Sequence, residues 1–116
     1  MAIYIIKDSI EKKELAEMAR EEYGDLVKAV VDVQQGIMAV GGELHADEEV
    51  LLMEQEGSKR EHTWGINLHV DGTEENWIEF DSMVNLKPAF GNRSRGVEDK
   101  ETQEKIREIV TKLIIE

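Results

Sequence analysis

The chain has no cysteine among its 116 residues, which removes disulfide frameworks, cysteine zinc sites and thiol nucleophiles together. Long apolar runs are missing as well. Ala2–Ile6, the longest near the N-terminus, is too short for the core of a secretion signal or for a membrane span. The chain is therefore expected in the cytoplasm, with no membrane as partner. Cations are scarce: 14 Lys and Arg stand against 26 Asp and Glu, a formal charge of −12. Phosphate backbones are held by basic surfaces, so this balance disfavours nucleic acid. Aromatics are few, two each of Trp, Tyr and Phe, which leaves little for bases to stack on.

What is present is enough for a core. Hydrophobic residues make up 41% of the sequence, and the length suits one domain spanning residues 1–116. Ala2–Lys7 is rich in β-branched residues and reads as a strand. The stripe Ile10, Leu15, Met18, Ala19 and Tyr23 then predicts an amphipathic helix, capped at Asp8 or Ser9 and stopped by Gly24. Leu26–Val33 alternates Val27, Ala29, Val31 and Val33 against Lys28 and Asp32, and turns at Gln34–Gly36 into Ile37–Val40 to form a hairpin.

Glu43–Gln55 is ambiguous. Its Ala, Glu, Leu and Met favour a helix, but the compact run Val50–Met53 before a turn at Glu56–Ser58 predicts a strand over Glu49–Gln55. His62–Val70 alternates cleanly, with Trp64, Ile66, Leu68 and Val70 inward and Thr63, Asn67 and His69 outward. Trp77–Val84 is expected as the next strand, its Trp77, Glu79, Asp81 and Met83 on the outer face. Pro88 ends pairing, and a last helix starts at Glu98 or Asp99 with Ile106, Ile109, Val110 and Leu113 on its apolar face. The order predicts an α+β domain: a mostly antiparallel sheet of five to six strands with an N-terminal and a C-terminal helix packed on one face. The other face would be open.

The segments G-G-E-L-H-A-D-E-E (Gly41–Glu49), W-I-E-F-D-S-M (Trp77–Met83) and G-N-R-S-R-G-V-E-D (Gly91–Asp99) give the chain a likeness over nearly its whole length. It resembles a family of small uncharacterised prokaryotic proteins. That resemblance implies a relative and carries no activity with it.

Three clusters carry candidate chemistry. Glu43, His45 and Asp47 would project to one side of an extended segment, where imidazole and carboxylates suit a divalent metal such as Mn²⁺ or Zn²⁺. The plainer alternative is a solvated acidic loop, with no cofactor. His69 faces Glu79 or Asp81 across neighbouring strands, as an acid/base pair or as the ordinary polar face of a half-buried sheet. Trp77 and Met83 on that face would suit a covering second subunit. Finally, Asn85–Val97 carries +3 from Lys87, Arg93 and Arg95, which leaves −15 for the rest. Arg93, Ser94 and Arg95 between two glycines resemble an anion cradle. The expectation is that the arginines instead pair with Glu43, Asp47, Glu79 or Asp81.

Two functions follow. The preferred one is a binding or interaction module that uses the Asn85–Asp99 loop and the open sheet face, with a small anionic ligand or a second copy of itself as partner. The alternative is a metal-assisted enzyme acting on a phosphate-containing substrate, which requires His45 and Arg93 to converge on one concave site.

Overall fold

The computed structural model describes residues 2–73 and 75–116; Glu74, in the expected acidic reversal at 73–76, lies outside the described residues. In chain order the elements are β1 (Tyr4–Ile6), β2 (Ile10–Glu11), α1 (Lys12–Glu22), β3 (Leu26–Asp32), β4 (Ile37–Val40), α2 (His45–Glu56), β5 (Thr63–His69), β6 (Ile78–Glu79), α3 (Lys100–Leu113) and β7 (Ile114–Ile115). Short 3₁₀ turns occupy Arg60–His62, Met83–Asn85 and Pro88–Phe90.

Five strands form one antiparallel sheet in the order β1-β4-β3-β5-β6, and β2 pairs in parallel with β7. Since β1 and β3 both run opposite to β4, they are parallel to each other, and α1 crosses between them. By the same logic β4 and β5 are parallel, and α2 crosses between those. The two crossovers step the same way across the sheet from strands of opposite direction. Right-handed connections must then pass over opposite faces.

The two faces bury different amounts of apolar surface. On one, Val27, Ala29 and Val31 of β3 and Trp64, Ile66 and Leu68 of β5 pack under Leu15 and Ala19 of α1 and Ile106, Val110 and Leu113 of α3. On the other, Val30, Ile37 and Ala39 meet a single buried apolar side chain from α2, Leu52, with Ile3 and Ile5 at the margin. The expected α+β class, antiparallel sheet and paired terminal helices are all present. No helix among the described residues is long and apolar enough to cross a membrane.

Five expectations need correction. Glu49–Gln55 is not a strand but the body of α2, which Gly57 ends in the left-handed region (φ 68°), where a glycine carries no Cβ penalty. The strand expected over Trp77–Val84 is only Ile78–Glu79, and the chain then turns back across the sheet. Trp77 packs partly buried against the α1/α3 core, not on the outer face. At the start of α1, neither Asp8 nor Ser9 is the cap. Ile10 and Glu11 pair with β7, so the helix begins at Lys12 with no side-chain cap. The sheet face expected to be open is also occupied, by α2 and by the chain after β6.

Candidate functional site

The buried residues of α2 are His45, Glu48, Glu49 and Leu52. That is the i, i+3, i+4, i+7 spacing of a core-facing helix, with polar residues in three of the four places. Each of the three polar side chains has at least one partner. His45 Nε2 lies 2.8 Å from the Ile66 carbonyl. Glu48 Oε2 accepts the Gly42 N–H at 2.9 Å. Glu49 accepts Arg60 Nη1 at 3.2 Å and the Thr63 hydroxyl at 2.6 Å. One oxygen, Glu48 Oε1, has no partner although the residue is fully buried. Desolvation holds the Glu48 carboxyl well above its ordinary pKa and lowers that of His45, since burial disfavours whichever form is charged.

Beside α2, the segment after β6 lies flat on the sheet because β5 has a glycine there. A Cβ on Gly65 would stand 2.5 Å from that of Ser82. With no side chain in the way, Asn85 reaches the strand and acts as a surrogate peptide. Its Oδ1 accepts the Gly65 N–H at 2.8 Å, and its Nδ2 donates to the Gly65 carbonyl at 3.0 Å. Asn92 fastens the following loop: Nδ2 donates to the carbonyls of Asn85, Ser94 and Gly96, and Oδ1 accepts the Glu98 N–H. Lys87 is buried, donating to the carbonyls of Arg60 and Thr63 and standing over the Trp64 ring. Burial lowers its pKa to about 8.

Between the N-terminus of α2 and this segment is a cleft of about 260 Å³. Lys28 and Asn67 form its sheet side, Leu44, His45 and Ala46 its helix side, and Asp81–Val84 with Arg95 the far wall. The α2 N-terminus has no side-chain cap, so the first-turn N–H groups of His45 and Ala46 look for an acceptor outside the helix. Lys28 is paired with Asn67 across the β3–β5 ladder; it forms no ion pair among the described residues, and its ammonium stands 5.0 Å over the Tyr23 ring. Arg95 meets Asp81 through Nε at 2.8 Å, which leaves its two Nη groups with no protein partner among the described residues. Asn67 Nδ2 donates to Glu79 Oε1 at 3.0 Å and to the Asp81 carbonyl at 3.2 Å, while its Oδ1 is buried with no partner.

The residues singled out from the sequence are split by this geometry. His45, Asp81 and Arg95 come together in the cleft. Glu43 and Asp47 do not join His45, because the segment is helical from His45 on and both side chains are exposed. Among the described residues no three His, Cys, Asp or Glu are arranged to hold a metal. His69 and Glu79 do pair, at 3.1 Å, and with Asn67 they lower the Glu79 pKa, but both lie outside the cleft. Arg93 is exposed, with its backbone N–H on Glu98, and Ser94 Oγ accepts the Gly96 N–H. Neither reaches the cleft, so His45 converges with Arg95 and not with Arg93. Lys28, Asn67 and Ser82 were not singled out. The lone Gly65 inside a strong strand was the available signal, since such a glycine marks a close approach of other chain.

Comparison with curated proteins and with solved structures finds no match to this chain. A family profile spans residues 4–113, which takes in every element that builds the cleft. The chain belongs to the family described as protein of unknown function, DUF5674.

Proposed function

We propose that this domain is a cytosolic binding module that holds a small anionic ligand in the cleft at the start of α2. The observation that carries this reading is the uncapped α2 N-terminus opening onto Lys28 and Arg95. Free first-turn N–H groups and the helix dipole favour negative charge. In a chain of net charge −12, two cations on one concavity are concentrated where an anion would sit. Asp81, paired with Arg95 on the same wall, and the exposed Asp47 both work against this. The reading keeps one residue of the expected loop, Arg95, and replaces the open sheet face by Lys28 and Asn67 on the sheet side of the cleft.

A ligand that binds only the folded chain raises its melting temperature. Inorganic phosphate and acetate, each compared with chloride at matched ionic strength, are expected to raise Tm in the unaltered protein. The rise should disappear in the Lys28→Met/Arg95→Met variant. Equal melting in all three salts, or an undiminished rise in a folded double variant, would sink the reading. A second copy of the chain, the other partner expected from the sequence, has exposed apolar side chains at Leu44, Val50, Met53 and Met83 to cover. Sedimentation of the unaltered chain as a concentration-independent monomer would remove it.

A further inference from the structure

A second concavity, which shares no lining residue with the cleft at α2, lies where α1 begins and α3 ends. Its volume is about 360 Å³, within the range of small-molecule sites. Trp77, Ile114 and Ile115 give it an apolar side, and Lys12 of α1 and Arg107 of α3 give it two cations. Trp77 is held in place by the core it packs on and by the reversal before β6. A Cβ on Gly72 would stand 3.0 Å from the Trp77 Cα, so the glycine is what lets that reversal close on it.

In a chain with 26 Asp and Glu against 14 Lys and Arg, cations have carboxylates to choose from. Lys12 and Arg107 form no ion pair among the described residues. Each stands over a ring instead: Lys12 Nζ is 5.7 Å from the Trp77 centroid, and Arg107 Cζ is 5.1 Å from that of Phe80. A ring attracts a cation without cancelling its charge. Glu116 is the one carboxylate on the lining, and it works against an anion there. An inorganic anion would use the cations and leave the apolar side empty, and a neutral ring would do the reverse. We propose that this second concavity binds a small aromatic carboxylate, its ring against Trp77 and its anionic group on Lys12 and Arg107. Stacking on the indole favours a flat ring beyond the area it buries.

Trp64 and Trp77 are the only tryptophans, so a proton–nitrogen NMR spectrum shows two indole N–H signals, which Trp77→Phe assigns. Titration with benzoate is expected to move the Trp77 signal and leave that of the buried Trp64 in place. On the unaltered chain benzoate should bind about threefold or more tightly than cyclohexanecarboxylate, ring stacking being of that order. It should bind about fivefold or more tightly than uncharged benzyl alcohol, as two partly exposed ion pairs would give. Lys12→Met/Arg107→Met should remove the second preference, whereas Lys28→Met/Arg95→Met should leave it unchanged. A Trp77 signal that does not move overturns the site. Cyclohexanecarboxylate binding as tightly as benzoate overturns the aromatic ligand, and benzyl alcohol doing so overturns the anionic one. These comparisons use the unaltered chain, so they decide the matter even where a variant does not fold.

Discussion

Glu48 sits furthest from its ordinary chemical state. Its side chain is fully buried, with one oxygen held by the Gly42 N–H and the other unpaired. Desolvation raises its folded-state pKa well above the unfolded value. With the folded pKa the higher one, the native state binds more protons than the unfolded state as soon as pH passes the unfolded value near 4.5. Stability therefore falls as pH rises, until the folded pKa is passed. Within that window the slope approaches about 1.4 kcal/mol per pH unit. Glu48→Gln removes the titration and keeps the oxygen that accepts from Gly42. Urea unfolding at a series of pH values from 5 upward should show the variant gaining on the unaltered chain until the folded pKa is passed, and a constant difference above it. His45, whose pKa is lowered, gives the opposite slope below its unfolded value, but it is common to both proteins and leaves the difference unchanged. Parallel stability curves would show that Glu48 is not the group responsible.

At the level of elements, what the sequence made legible depended on the chemistry of the buried stripe. The strands at 26–33 and 62–70 and the last helix were readable because their inward positions are apolar at the right period. α2 has a sound helical period too, but it is written in His45, Glu48, Glu49 and Leu52. A search for apolar spacing finds only Val50–Met53, two of whose members, Val50 and Met53, face solvent. Helix propensity and Gly57 were the remaining signals, and they pointed the right way. The Asn85–Asp99 loop is legible in part, since Arg95 pairs with Asp81, one of the expected carboxylates. Its arginines drew attention as charges, while its asparagines do the fastening.

Asn92 shares its two amide hydrogens among three carbonyls and accepts one N–H, the equivalent of three bonds worth about 0.5–1.5 kcal/mol net each, so Asn92→Ala should lower stability by about 1.5–4.5 kcal/mol. The Asp81–Arg95 pair is 44% and 56% exposed, and exposed pairs contribute at most about 1 kcal/mol. Arg93→Ala/Arg95→Ala should therefore unfold at nearly the urea concentration of the unaltered chain. A double-arginine variant weaker than Asn92→Ala would restore the arginines as the structural fastening.

Across the whole molecule, the two sheet faces are held with unequal strength, and this bears on how the cleft opens. α3 buries Ile106, Val110 and Leu113 and α1 buries Leu15 and Ala19, whereas α2 buries Leu52 as its one apolar side chain. A fully buried aliphatic side chain contributes about 1.5–3 kcal/mol. Hydrogen bonds such as those of His45 and Glu49 replace bonds to water, and so contribute less than their number implies. α2 should then be the helix that detaches at the lowest free energy, as a local opening that leaves β3 and β5 intact. Native-state hydrogen exchange tests this directly. Amides in the middle of β3, which is flanked by β4 and β5 and covered on both faces, should exchange only by global unfolding, and those of α3 close to it. Amides from Glu49 to Gln55 should exchange earlier, with a weaker dependence on denaturant because little surface is exposed. A ligand seated at the α2 N-terminus would slow those amides in particular, since it binds the attached helix and not the detached one. If α2 instead exchanges at the global rate, its polar face holds as firmly as an apolar one, and the cleft is a fixed notch that does not open with the helix.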